Sequence, residues 1–517
     1  MILKKHKLRF FIVILILIFI FIRVHNFHSD YNYPMHLDEY HHIAQSVQII
    51  EDEGFVSTNP YFAEPIRHEN LEPGFHILLS ELFLLTGMDP VGHYGFLPAL
   101  FACLSTFILF VLVTKITNKF WTGIFAMLFF ASLKSSVNIL GINFFTPLTA
   151  CIPLIYLFLL MLIEALSEGD IKKLFISIIL SSCLVIIYPL CGTLIIPIAF
   201  LYFLLNSRII RGFYFKTKEI FAIERLNKDK ISYFKTVLLT TAIILTITVT
   251  FIYFWRYISF LRNKTQIINS LIFREGWGKV EIKYFLPYLY GVISTILALV
   301  GVIASLKQKK YLIFVFFAFI TMGLTTMFNK FGFTILSPYQ RTLYFTMLFL
   351  IPLSAVGLSY IINYLRKLKM PFLSRVVKES IVAFLVIIIF IGVFSGTYKL
   401  IDERKAYSNS IISEEDYKTI KWLEKNYGSH NIVMAPLFVS STIYPISRNY
   451  VVSILPGQLR GKNLNASINF FNVGCNEKRK IIEENKVNLV FSKGKIDCNG
   501  LKEVYSNKNF IYEVVVT

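Results

Sequence analysis

Apolar residues in this chain fall into long blocks rather than into the short alternations of a soluble sheet protein. Blocks run at roughly 8–24, 93–114, 119–133, 146–166, 173–188, 191–206, 235–255, 286–306, 311–327, 342–364 and 379–397. Most approach the ~20 apolar residues that a helix needs to cross a bilayer. The pattern predicts about eleven transmembrane helices. The stretch 173–206 is read as two short spans folded at Pro189-Leu190-Cys191-Gly192. The first block follows Lys4, Lys5 and Lys7, and no small-x-small cleavage site follows Arg23, so it reads as a retained helix with Arg9 and Arg23 snorkelling.

Two regions break this pattern. In the loop 25–92, a helix is expected from His36, with Tyr40, Ile43, Ala44, Val47 and Ile50 recurring at helical spacing on one face. Asp38, His42 and Gln45 share a different, polar face. The apolar stretch Phe75 to Gly87 is too short to span and is expected to lie at the interface. Residues 400–517 have mixed polarity. Ser413 to Asn426 reads as a helix opened by Ser413 and Asp416, and 431–434 and 487–491 read as strands around a second helix, Glu477 to Glu484. The expected organisation is a transmembrane domain over 1–398, with 25–92 as an extracytoplasmic loop, and a small soluble α/β domain over 399–517.

Composition agrees with the membrane reading. The chain of 517 residues is 55% hydrophobic and only 16% charged, with mean hydropathy +0.60, and a soluble surface needs about 25% charge. The net charge of +20 does not imply nucleic acid. Its lysines and arginines sit in short clusters between apolar blocks (Lys4-Lys5, 208–235, Lys307 to Lys310, Arg366 to Lys369), as the positive-inside rule predicts for cytoplasmic loops. With eleven spans those clusters all fall on one side. The N-terminus is then cytoplasmic, and the loops 25–92, 256–285 and 328–341 and the C-terminal domain are extracytoplasmic. Cys103, Cys151, Cys183 and Cys191 read as small buried hydrophobes, whereas Cys475 and Cys498 lie in the polar region, where a disulfide is an open question.

The chemistry concentrates in the first loop. Between Asp30 and Asp89 stand 11 of the 32 carboxylates against a single basic residue, Arg67, and eight of the ten histidines fall between His25 and His93. An acidic outer loop explains the missing cations but not the histidines, so a functional loop is expected. Asp38 sits at a helix start just after the first span. That position suits either a helix cap or a catalytic acid. Downstream come Arg67-His68-Glu69-Asn70-Leu71-Glu72-Pro73-Gly74, then Asp89-Pro90 leading into the second span.

An Asp-Glu pair after the first span, a helix, an acidic residue before Pro, an interfacial helix and then a span: this order resembles the first extracytoplasmic loop of the GT-C-fold glycosyltransferases. The branch it resembles is that of the protein O-mannosyltransferases and aminoarabinose transferases. The resemblance implies a GT-C-type polytopic α-helical membrane protein. It implies transfer of a sugar (hexosyl- or mannosyltransferase-like) from a polyprenyl-phosphate donor to a glycan, lipid or protein acceptor, by an inverting mechanism. The family's catalytic carboxylate falls on Asp38, a general base, with Glu39 orienting acceptor or base. Relatives place an Arg at the outer start of a late span to bind the lipid phosphate, and Ser337-Pro338-Tyr339-Gln340-Arg341 puts Arg341 and Tyr339 there. Glu72, His42 and Arg67 are the remaining expected substrate-binding residues.

No Gly-rich phosphate loop or Walker motif is present, which a lipid-linked donor makes unnecessary. His36, Asp38 and His42, or Asp38 with Glu72, could ligate a divalent cation such as Mg or Mn. The chain lacks the Trp-Trp-Asp-Tyr-Gly motif of metal-dependent oligosaccharyltransferases and an acidic pair near Asn138 to Asn143, so no metal ligand is assigned. The sequons at Asn263 and Asn465 carry little weight. The rival reading is a transporter or flippase of lipid-linked sugars or other lipids. It calls for ionisable pairs inside spans and for a repeat, and the sequence shows neither.

Overall fold

A bilayer offers the backbone no hydrogen-bond partners, so an apolar block must coil into a helix to satisfy its own amides. The computed structural model describes residues 2–29, 31–55, 57–68, 70–135, 139–206, 272–274, 289–306, 311–368, 374–405, 411–455 and 463–515. The predicted span 235–255, the basic stretch 208–235, Lys307 to Lys310, Glu69 and the sequon at Asn263 lie outside the described residues.

Every predicted span within the described residues is a helix. They are α1 (Ile2–His25), α4 (Phe96–Thr117), α5 (Phe120–Ala131), α6 (Pro147–Glu168), α7 (Ile171–Ile187), α8 (Pro189–Asn206), α9 (Val292–Leu306), α10 (Leu312–Phe331), α11 (Tyr339–Lys367) and α12 (Arg375–Lys405). The first loop supplies α2 (Leu37–Glu51) and α3 (Pro73–Thr86). Among the described residues, seven helices are long and apolar enough to cross a membrane, which makes this a multi-pass membrane protein. The 12-residue α5 rises only about 18 Å, short of a ~30 Å hydrocarbon core.

By contact the chain divides into a helical unit (Met1–Arg23, Phe101–Ile142, Leu148–Glu403) and a mixed unit (Val24–Leu100, Asn143–Pro147, Arg404–Thr517). The first loop thus belongs with the C-terminal residues.

Among the described spans of the helical unit, α11 is the most enclosed, with 83% of its apolar window buried, and α12 the least, with 11%. α9 and α11 approach each other backbone to backbone. A Cβ on Gly301 would stand 1.8 Å from the Leu353 carbonyl oxygen, and one on Gly357 1.9 Å from that of Leu297. Small residues let the two backbones touch, as helix pairs in lipid require. Because the obstacle is backbone, Gly357→Ala should cost about 3 kcal/mol and lower the thermal midpoint of detergent-purified protein. A midpoint unchanged from wild type would show that the helices can separate cheaply. Glu164, near the end of α6, pairs with Lys115 at 3.1 Å and Lys173 at 2.7 Å, both at helix ends, which is not the arrangement of an ion pathway.

The mixed unit carries a five-stranded sheet in the order β4-β3-β5-β7-β6: β3 (Ile432–Met434), β4 (Tyr450–Val451), β5 (Leu489–Ser492), β6 (Leu501–Asn507) and β7 (Asn509–Val514). β3 pairs in parallel with β4 and β5, while β7 runs antiparallel to β5 and β6. A short antiparallel pair in the helical unit, β1 (Ile272–Phe273) and β2 (Thr334–Ile335), precedes α11. Met434, Val452, Phe470, Ile482, Val487, Val490 and Tyr512 form the core of the sheet.

The expected helix at Ser413 is α13 (Glu414–Tyr427), with Ser413 and Asp416 closing a capping box. α14 (Leu437–Ser447), α15 (Leu464–Phe470) and α16 (Cys475–Glu484) complete the unit. Cys475 and Cys498 are disulfide-bonded, with Cα atoms 5.3 Å apart. The first loop is tied into this unit. The Tyr61 hydroxyl donates to the Ser441 carbonyl at 2.6 Å, Val451 N–H to the Tyr61 carbonyl at 2.8 Å, and the Tyr444 hydroxyl to Glu51 at 2.8 Å.

Candidate functional site

α2 begins two residues earlier than a cap at Asp38 would allow. His36 is the N-cap: its ring Nδ1 accepts the Asp38 N–H at 3.1 Å, and Glu39 returns the bond to the His36 N–H, closing a capping box. This removes the capping role for Asp38, which stands in the first turn with its side chain 23% exposed. The His36 Nδ1 lies 3.5 Å from the Asp38 carboxylate. That nitrogen already spends its lone pair on the Asp38 amide, so it cannot donate to the acid.

Glu39 is fully buried. Its Oε2 accepts from Met35 N–H at 2.9 Å and His36 N–H at 3.0 Å, and its Oε1 from Phe145 N–H at 2.8 Å. Burial pushes its carboxyl up to about 8, against the pull of the Phe145, His36 and Met35 amides. The two adjacent acids are therefore chemically distinct. Glu39 ties the turn before α2 to the segment 143–147, and Asp38 keeps a partly open carboxylate.

The rest of α2 departs from a simple amphipathic reading. Tyr40, Ile43, Ala44 and Val47 are buried as expected, but so are His41, His42 and Gln45. The polar face is covered too, and one reason is α3. His42 Nδ1 lies 2.9 Å from His76 Nε2, and His76 Nδ1 lies 2.8 Å from Asn70 Oδ1. Asn70 Oδ1 can only accept there, so His76 carries its proton on Nδ1 and presents the Nε2 lone pair to His42. Burial lowers His76 to about 3 and keeps it neutral. The Glu72 carboxylate lies 3.7 Å from His42 Nδ1.

Donor atoms of His42, Glu72 and His76 all fall within 4.8 Å of one another. The sets expected from sequence, His36–Asp38–His42 or Asp38–Glu72, are not what the fold assembles. His76 and Asn70 were missed as partners; the crowding of histidines in this loop was the available signal.

Arg67 is exposed and sits in an antiparallel bridge with Thr58. Asp89 holds the Val91 and Gly92 amides and pairs with Lys421 of α13 at 2.9 Å, a structural use. α3 buries Phe75, His76, Leu79 and Phe83 and leaves Leu84 and Leu85 exposed.

Arg341 belongs to the helical unit, in the first turn of α11. Its Nε donates to the Tyr188 hydroxyl at 2.8 Å and its Nη1 to the Ile139 carbonyl at 3.0 Å. That carbonyl precedes a strained turn, with Leu140 at φ 62° and Gly141 at φ 103°, where a Cβ would meet Ser135 Oγ at 2.7 Å. A half-buried guanidinium is thus fixed beside a helix N-terminus, a combination suited to an anion. Tyr339, expected beside it as a ligand contact, is wholly buried and stacks on Phe328 with centroids 4.5 Å apart, so it packs instead.

No protein-family model and no curated protein matches the chain by sequence. Solved structures match it by fold. The archaeal oligosaccharyltransferase AglB from Archaeoglobus fulgidus, in complex with an inhibitory peptide and a dolichol-phosphate, superposes with a TM-score of 0.57 at 14% identity over 95% of this chain and 70% of that one. The Archaeoglobus fulgidus oligosaccharyltransferase in complex with Zn and sulfate gives 0.57 at 14% identity over 93% and 68%. ArnT from Cupriavidus metallidurans in the apo state gives 0.55 at 11% identity over 92% of both chains.

Proposed function

We propose that this chain, whose fold is that of the GT-C membrane glycosyltransferases, is itself such an enzyme, one that moves a single sugar from a polyprenyl-phosphate donor to a hydroxyl of an extracytoplasmic glycan, lipid or protein acceptor. The observation that carries the reading is the division of labour in the Asp-Glu pair. Glu39 is consumed by three amides, and Asp38 is left as a partly exposed carboxylate at the start of a buried helix, just after the first span.

In the reaction, Asp38 accepts the proton of the acceptor hydroxyl as its oxygen attacks the anomeric carbon. The bond from that carbon to the phosphate oxygen breaks, the configuration inverts, and the polyprenyl phosphate leaves as a stable anion. Such a leaving group needs charge stabilisation rather than a proton. Arg341 supplies it, supported by the N-terminal end of the α11 dipole. The dolichol-phosphate in the AglB complex supports a lipid phosphate as the donor's handle here. The basic clusters between spans support a cytoplasmic N-terminus and an extracytoplasmic mixed unit. Of the remaining sequence-expected ligands, His42 and Glu72 are drawn into the cluster with His76, and Arg67 is kept as an acceptor contact.

The test is donor binding to purified protein in nanodiscs, with a panel of radiolabelled polyprenyl-phosphate sugars. Arg341→Ala should weaken binding of the preferred donor about 10- to 100-fold, the worth of one charge-assisted bidentate contact. Equal binding by the variant would remove Arg341 from the site. Failure of the wild type to bind any donor would remove the lipid-linked reading and bring the transporter forward.

A further inference from the structure

Two histidines and a glutamate meet where α3 crosses α2, and their donor atoms face one another rather than solvent. Neutral imidazoles are poor at this distance unless one donates to the other or both point at a shared cation. The geometry points to a zinc-class divalent cation held by His42 Nδ1, His76 Nε2 and the Glu72 carboxylate, a site separate from the acid of Asp38.

Four observations support it. All three donor atoms lie within 4.8 Å of one another. Two imidazole nitrogens on one tetrahedral zinc, with bonds of 2.0–2.1 Å, stand about 3.3 Å apart, so the 2.9 Å His42–His76 pair needs to open by only about half an ångström. Asn70 Oδ1, 2.8 Å from His76 Nδ1, accepts the proton there and aims the Nε2 lone pair inward, the outer contact that ligating histidines ordinarily have. Finally, His42 and His76 are buried and Glu72 keeps 13% of its side chain exposed, so the approach lies on the carboxylate's side.

The donor chemistry selects the ion. Two imidazoles and one carboxylate suit zinc, whereas magnesium and manganese favour sets made mainly of oxygen. Three protein donors, all that the described residues provide, leave a fourth position for water or a ligand. The cation joins the N-cap residue of α3 to the second turn of α2 and so fixes the crossing. None of this depends on the transfer reaction.

The experiment uses the full chain in nanodiscs, stripped with a chelator and dialysed against equal micromolar zinc, manganese and magnesium. Bound metal is read by plasma mass spectrometry, and the zinc environment by X-ray absorption. The wild type should retain one zinc per chain and neither of the other ions, with two imidazoles in the absorption fit. His42→Gln and His76→Gln should each lower zinc occupancy at least tenfold, and Glu72→Gln should lower it too. Asp38→Asn should keep zinc, so the metal site and the catalytic base stand or fall separately. A wild type without zinc, or with fewer than two imidazoles on it, overturns the site even if the histidine variants fail to fold. Retention of zinc by folded His42→Gln and His76→Gln proteins does the same.

Discussion

Asp38→Asn should lower turnover about 10²- to 10⁴-fold, the usual contribution of a positioned general base, while donor affinity stays within about twofold. The asparagine is isosteric but cannot take a proton. The fold should tolerate it, because the cap of α2 uses the backbone amide of residue 38 and not its side chain. At most, about 0.3–1 kcal/mol of charge–dipole stabilisation at the helix start is lost. The measurement is single-turnover transfer from the labelled donor, alongside a melting curve for each protein. Normal turnover in Asp38→Asn would falsify the base assignment, whatever Arg341 does. A variant that neither turns over nor binds donor would place Asp38 in donor binding instead.

Glu39 governs stability instead. Replacing it with alanine leaves the buried amide of Phe145 and the part-buried amides of Met35 and His36 without their acceptor, and an unmet buried group costs about 1–3 kcal/mol. A total loss of about 3–5 kcal/mol, enough to unfold the mixed unit at moderate temperature, is the expected outcome. Glu39→Gln keeps one oxygen but turns an NH2 group toward N–H donors, and about 2 kcal/mol is expected.

The pH dependence has a definite sign. The folded protein holds the Glu39 proton up to about 8, whereas the unfolded chain releases it near 4.5. The folded state therefore binds more protons between those values, and the stability contributed is complete below 4.5 and lost as pH rises through 8. Melting points taken from pH 5 to 9 should fall for wild type over that window, and Glu39→Gln should flatten the fall. Parallel curves for the two proteins would assign the dependence to other groups.

Much of this could be read from the chain, and the reason is local. A span announces itself because lipid forces each apolar block to satisfy its own amides. α13 was readable from Ser413 and Asp416 because a capping box is a four-residue signal. α14 was not: it is short, apolar and carries Pro445, all of which argue against a helix. The β6–β7 hairpin was missed because its residues alternate weakly between buried and exposed. In the site, Asp38 could be placed by its nearness to the first span. Its neighbour's task could not, since the Phe145 amide lies 106 residues away. His76 meets His42 across 34 residues, a distance at which sequence carries composition but no geometry.

The mixed unit is assembled from segments at opposite ends of the chain, and this has a consequence for how the protein is made. Between Leu100 and Arg404 a ribosome must add about 300 residues, which at ~5–20 residues per second takes roughly 15–60 s. For that interval the Tyr61 hydroxyl and Glu51 have been synthesised but Ser441 and Tyr444 have not. The first loop must wait, incomplete, while the spans are inserted. A nascent chain arrested after α12 would present that loop with its buried polar groups unmet, a ready target for holding chaperones or for proteases at the membrane.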